Sequence, residues 1–187
     1  MESFMSRKLT LDDIAVFYRT NAQSRVVEDV FNRRGVSYKV IGGVRFYDRK
    51  EVKDATSYLR AVVNPADQVA LKRVINVPKR SIGATSVAHV DRFAADEGIG
   101  FAEALRRVGD IEALTPRATR SIAAFVSTLD SIGAIAAEKG PAAAVDAVLQ
   151  EVGLLADVEA DGSIEGLGRG ENLRELASVV LEFEEMM

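Results

Sequence analysis

The chain has 187 residues, 48% of them hydrophobic and 28% charged, with a formal net charge of −4, enough for one domain with a real core and too apolar for wholesale disorder. Zero Cys and a single His exclude disulfide frameworks, thiol nucleophiles, Cys-ligated zinc, iron–sulfur clusters and any site that needs two imidazoles. No apolar run approaches about 18 residues and residues 1–10 contain no hydrophobic segment, so the sequence predicts neither a transmembrane helix nor a signal peptide, no membrane partner, and a cytoplasmic protein.

In chain order, Asp13-Ile14-Ala15-Val16-Phe17-Tyr18 is a short, nearly unbroken apolar run, the pattern of a strand covered on both faces. From Ala22 to Arg34 the residues Val26, Val27, Val30 and Phe31 recur at helical spacing, and Gly35 supplies a stop. Residues 37–41 read as a second strand, broken by Gly42-Gly43. Asp48 and Glu51 then form a D-x-x-E start for a helix carrying Val52, Ala55, Leu59 and Val62. Two strands do not make a stable parallel sheet, so residues 1–64 read as a βαβα fragment of a larger α/β domain.

Beyond Asn64-Pro65 the pattern is helical, and residues 65–187 read as a helical subdomain; the fold class expected is therefore mainly α, attached to a small α/β fragment. A short helix near 67–76 leads into the basic loop Val77-Pro78-Lys79-Arg80-Ser81-Ile82-Gly83, and the next helix runs to about Glu97, where Gly98 ends it. A brief helix follows over 100–108. Thr115-Pro116 is an N-cap with Pro at the first helical position, and Gly140-Pro141 punctuates before a helix closed by Gly153. The acidic, glycine-rich stretch 157–170 reads as a loop, and a last helix uses Leu173, Leu176, Val180 and Phe183.

Charge divides further along the chain, inside the helical part. Residues 1–92 hold 17 Lys and Arg against 10 Asp and Glu, a net +7, whereas residues 93–187 hold 7 against 18, a net −11. A basic half can replace counterions along a polyanion and an acidic half is repelled by one, so a nucleic-acid partner would meet the first half; ordinary solvated charge accounts for the same numbers. No Gly-Lys pair occurs, which removes the phosphate-cradling loop of P-loop nucleotide hydrolases. The glycines at 98–100 and 166–170 follow no predicted strand and so make no dinucleotide site. His89 reads as a partly exposed structural histidine, and Asp12-Asp13 and Glu184-Glu185 as solvated surface.

The stretch Lys79, Arg80, Ser81, Ile82, Gly83, Ala84, Thr85 stands apart. Ile82 buried in a tight turn, with Gly83 allowing close approach, would leave the amide end of the next helix facing outward beside two cations, with Lys72 and Arg73 one helix earlier. That arrangement suits the phosphates of a duplex and reads no sequence. A plain turn glycine flanked by solvated cations fits the same residues.

Tyr18-Arg19-Thr20-Asn21-Ala22-Gln23-Ser24-Arg25, the run from Tyr38 to Asp54, and Asn76-Val77-Pro78-Lys79-Arg80-Ser81-Ile82-Gly83 closely resemble consecutive segments of UvrD/PcrA-type superfamily 1 DNA helicases. The resemblance is specific over residues 13–97 and architectural beyond. It implies that residues 1–64 belong to the second RecA-like motor domain, 2A, and 65–187 to the helical 2B insertion of an ATP-dependent helicase that moves 3′ to 5′ in DNA repair. It also implies that Arg19, Thr20 and Asn21 lie beside the single-stranded DNA track and that Lys79–Thr85 is the duplex-contacting loop. Where the family commonly has Gly-Ile-Gly, this sequence has Ser81-Ile82-Gly83; a serine keeps its N–H and adds a hydroxyl but is barred from glycine-only backbone angles. ATP and Mg would serve segments of the parent outside this chain, which holds no catalytic residue, cofactor or metal of its own. The implied partners are duplex and single-stranded DNA, the remaining helicase subdomains, and repair proteins or a second copy. The rival reading is a protein-interaction module that works through the acidic helical half.

Overall fold

The computed structural model describes residues 10–19, 23–41, 44–160 and 162–186, which fall into two compact units, one ending at Phe46 and the other starting at Tyr47. The helix α1 (Ser24–Arg33) is the one regular α-helix described in the N-terminal unit, preceded by a 3-10 turn over Leu11–Asp13. Buried Glu28 organises this unit: its carboxylate accepts hydrogen bonds from the Tyr38 hydroxyl at 3.1 Å and from the Phe46 amide at 3.3 Å. Tyr38 also stacks obliquely on Phe31 at 5.6 Å and lies under the Arg45 guanidinium at 5.4 Å.

The strands expected at 13–18 and 37–41 do not form; among the described residues there is no strand, and both segments are irregular. A strand is defined by the ladder it shares, and no segment among the described residues supplies one. Their apolar side chains accordingly meet solvent, with Phe17 93% and Ile41 86% exposed. A cavity of about 730 Å³ runs between the two segments and the Val27/Phe31 side of α1.

The second unit is helical. In chain order it comprises α2 (Lys50–Val63), α3 (Gln68–Val74), α4 (Ala84–Glu97), α5 (Phe101–Arg106), α6 (Pro116–Lys139), α7 (Pro141–Gln150), α8 (Leu154–Glu159) and α9 (Ile164–Glu185). Helix α2 is its hub: Val52, Ala55, Tyr58 and Ala61 are buried, and the helix packs on α3, α6, α7 and α9. Leu71, Phe101, Leu105, Ile122, Phe125, Ile132, Val148 and Leu173 complete the core. By length and composition alone α6 is apolar enough to cross a membrane, although the sequence predicts no such span; here its Ile122, Phe125 and Ile132 are core residues and its opposite face carries Arg117, Arg120 and Asp130.

Three helix starts follow side-chain capping. Asp67 accepts from the Ala70 amide at 3.0 Å, Thr115 from Ala118 at 3.2 Å, and Ser163 from Gly166 at 2.9 Å. The Ser163 cap starts α9 within the expected loop over 157–170, which keeps non-helical residues at 160 and 162–163 but is otherwise the end of α8 and the first two turns of α9, with Gly166, Gly168 and Gly170 inside the helix. Gly170 leaves room that the Glu159 side chain enters, and Glu159 pairs with Arg174 at 2.8 Å. The D-x-x-E start also differs: Arg49 is the N-cap of α2, Asp48 pairs with Lys53 at 2.8 Å, and Glu51 is buried. Asn172 joins both ends of the unit, accepting from Arg49 at 2.8 Å and donating to Glu51 at 2.7 Å, with all three residues less than 9% exposed. A buried amide can satisfy a cation and an anion at once because it offers both an acceptor and donors.

Candidate nucleic-acid interface

The loop between α3 and α4 is built before any ligand arrives. The Asn76 side-chain oxygen accepts from the amides of Arg80 at 2.7 Å and Ile82 at 3.2 Å, which folds residues 76–82 into a closed turn. Ile82, 2% exposed, anchors the turn in the core as the sequence pattern predicts. Beneath it the Tyr58 hydroxyl donates to the Val77 carbonyl and, at 3.3 Å, to that of Val74. Burial pushes the Tyr58 phenol up to about 12, because the phenolate would lose its hydration there.

Lys79 and Arg80 point to different tasks. The Arg80 guanidinium lies 5.7 Å from the ring centres of both Tyr58 and Phe125, which meet edge to face at 6.4 Å, and donates to the carbonyls of Val77 at 2.7 Å and Pro78 at 3.2 Å. Its charge is thus used to hold the loop together, a cation–π contact worth about 1–2 kcal/mol where partly desolvated. Lys79 is exposed and makes no ion pair among the described residues. The cations one helix earlier are engaged: Lys72 pairs with Asp91 at 2.6 Å and lies over the Phe101 ring, and Arg73 pairs with buried Asp54 at 2.8 Å. Burial raises the Asp54 carboxyl above its ordinary value, against the opposing pull of Arg73.

Ser81 sits at φ +63°, the left-handed region that glycine favours, at a cost of about 1 kcal/mol or more for a residue with a Cβ. Its angle is therefore left-handed without being one open to glycine alone. The Ser81 hydroxyl accepts a hydrogen bond from Arg117 at 2.8 Å, which brings the first turn of α6 against the loop. Gly83 is the N-cap of α4 at φ −84°, so its backbone does not demand glycine; what the missing side chain leaves is space, since an added Cβ would meet nothing within 4 Å. No side chain caps α4, and Gly83, Ala84 and Thr85 are exposed. First-turn amides left in this way carry partial positive charge and can donate to an anionic oxygen.

The structure brings Lys79, Ser81, Gly83, Ala84 and Thr85 to one exposed turn, with Ile82 and Arg80 as its supports. Arg19 belongs to the N-terminal unit, exposed, with its amide donating to the Gln23 side chain at 2.9 Å; Thr20 and Asn21 lie outside the described residues. Sequence reasoning missed Tyr58, Asn76, Phe125 and Arg117 as parts of the loop. For Arg117 there was a signal: a cation directly after the Thr115-Pro116 start opposes the helix dipole and so invites an explanation. Among the described residues no group of three or more His, Asp or Glu side chains forms a metal site.

Residues 1–109 match the model of the UvrD-like helicase C-terminal domain, more than half of the chain. The chain belongs to the UvrD-like superfamily 1 helicase family. Over 179 residues it is 44% identical to the ATP-dependent DNA helicase UvrD1 of Mycobacterium tuberculosis, covering 94% of this chain and 23% of that protein. It is 37% identical over 178 residues to the ATP-dependent DNA helicase PcrA of Bacillus subtilis, and 39% over 173 residues to PcrA of Staphylococcus epidermidis, covering 95% and 92% of this chain and 24% of each relative. The chain thus spans about a quarter of the length of the curated relatives it matches. The family match covers α1 to α5 of this helicase-family chain, the loop included, and the relatives extend it across the rest.

Proposed function

We propose that this chain is the DNA-gripping piece of an ATP-dependent 3′–5′ helicase of DNA repair, holding duplex by its phosphate backbone without reading sequence. The observation that carries this reading is the prebuilt turn at 79–85, where an outward Lys79 and the open amide end of α4 share one exposed surface. Backbone amides and one lysine recognise phosphate oxygens, which every base pair offers alike.

In this reading residues 1–64 are the adjoining part of the 2A motor domain, residues 65–187 the 2B insertion, and Arg19, Thr20 and Asn21 face the single strand. The ladder-less segments at 13–18 and 37–41, with Phe17 and Ile41 exposed, fit two strands of a parallel sheet whose neighbours lie elsewhere in a longer protein. ATP and Mg act in those other segments, and the isolated chain is expected to show no DNA-stimulated ATP turnover. Repair proteins and self-association are further partners of the parent, in the cytoplasm.

The test is titration of the chain with labelled duplexes of unrelated sequence and with a single strand, over a salt series. Affinity that falls linearly with log salt, equally for every duplex, supports the reading. Binding that ignores salt, or that prefers one sequence strongly, contradicts it. A salt-insensitive protein ligand on the acidic helices would put the interaction-module reading in its place.

A further inference from the structure

We propose that Ser81 is a positioning residue that holds the Arg117 guanidinium at the edge of the loop, so that Arg117 and Lys79 flank the same stretch of duplex backbone. This rests on the reading of the 79–85 turn as a duplex contact and adds a residue from a different helix, more than thirty positions away in the chain. Three observations carry it. The Arg117 Nη2 donates to the Ser81 hydroxyl at 2.8 Å, which fixes the guanidinium beside the turn rather than along α6. A guanidinium has five N–H donors in a rigid fork, so the bond to Ser81 leaves the face needed for phosphate. Arg117 is exposed and, like Arg120 one turn on, makes no ion pair among the described residues, whereas Lys72 and Arg73 are paired with carboxylates and Arg80 is spent on the loop's own carbonyls. Ser81 itself is the one described residue other than glycine with a positive φ, so its side chain is kept at a backbone angle that glycine would take more easily. The hydroxyl has a use that glycine cannot supply, and Arg117 is what it touches.

The experiment measures duplex binding by the full 187-residue chain over a salt series, with the unaltered protein, Ser81→Gly, Ser81→Asn, Arg117→Gln, the Ser81→Gly/Arg117→Gln pair and Lys79→Glu, each checked for a cooperative melt. Ser81→Gly suits the left-handed angle, so the turn is retained and only the hydroxyl is lost. Arg117→Gln is expected to weaken binding about fivefold at low salt and to reduce the slope of log K against log salt by roughly 0.9, one phosphate contact. Ser81→Gly should weaken binding about threefold, the double variant should be no weaker than Arg117→Gln alone, and Ser81→Asn, which tolerates the angle and keeps an acceptor, should recover most of the loss. Ser81→Gly with unchanged affinity and slope, or losses at Ser81 and Arg117 that simply add, overturns the positioning role. Arg117→Gln indistinguishable from the unaltered chain overturns the contact itself while Lys79→Glu still shows that the loop works. Duplex binding absent from the unaltered chain, or untouched by Lys79→Glu, defeats the reading of the loop and this inference with it.

Discussion

The two units of the chain solve the problem of burying apolar surface to different degrees. In the helical unit, Val52, Tyr58, Phe125, Ile122 and Leu173 are fully enclosed, and buried Asn172 has partners in Arg49 and Glu51. In the N-terminal unit a helix and a buried glutamate hold two extended segments that keep Phe17, Val16 and Ile41 in solvent. Helices satisfy their backbone within themselves, so a helical unit closes its own hydrogen bonding; strands satisfy theirs only with neighbours, and the segments 13–18 and 37–41 have no ladder among the described residues.

The largest effect expected from this difference is on independent folding. Residues 47–187 produced alone should melt cooperatively by circular dichroism, and residues 1–46 alone should not; the reverse would end the comparison. Next, Phe125→Ala should cost about 3–5 kcal/mol in denaturant unfolding, whereas Phe17→Ala should change stability by less than about 0.5 kcal/mol, since one ring is enclosed and the other is exposed. Asn172→Leu should cost about 2–3 kcal/mol, because it leaves the buried Arg49 and Glu51 without their shared amide. Tyr58→Phe should cost about 1 kcal/mol by removing one of the two hydrogen bonds to the Val77 carbonyl, the one from Arg80 remaining. It should also change the pH profile. With the phenol at about 12 when folded against 10.0 when free, the folded form keeps the proton longer, so this contribution is complete below pH 10 and is lost as pH rises towards 12. The phenylalanine variant should therefore lose less stability across that alkaline window. The smallest effect belongs to the Arg106–Asp130 pair, whose side chains are about half exposed: Arg106→Gln should cost under about 1 kcal/mol despite lowering of the Asp130 carboxyl by that arginine.

How much of this was legible depended on whether the determinant was local. Thr115-Pro116, Gly98 and Gly140-Pro141 mark helix ends through their own backbone preferences, and all three fall where the sequence places them. Ile82 was readable as an anchor for the same reason. The segments at 13–18 and 37–41 have strand composition, but a ladder needs partners that composition does not reveal. The glycines at 166–170 read as a loop because glycine weakens a helix; the Ser163 cap and packing of Leu173 and Leu176 outweigh that preference. In the loop, the sequence shows two adjacent cations and nothing to separate them. Only the rings of Tyr58 and Phe125, distant in the chain, turn Arg80 inward and leave Lys79 outside.

That separation also decides how the central claim is best tested. Reversing both charges would confuse binding with folding, because Arg80 supports the turn; reversing Lys79 alone does not. The measurement is the salt dependence of duplex binding by the Lys79→Glu chain, with its melting curve as control. The account predicts an unchanged melt, weaker binding to every duplex sequence alike, and a slope of log K against log salt smaller by roughly 0.9. A folded Lys79→Glu chain that binds duplex with the same affinity and the same slope as the unaltered protein would contradict it.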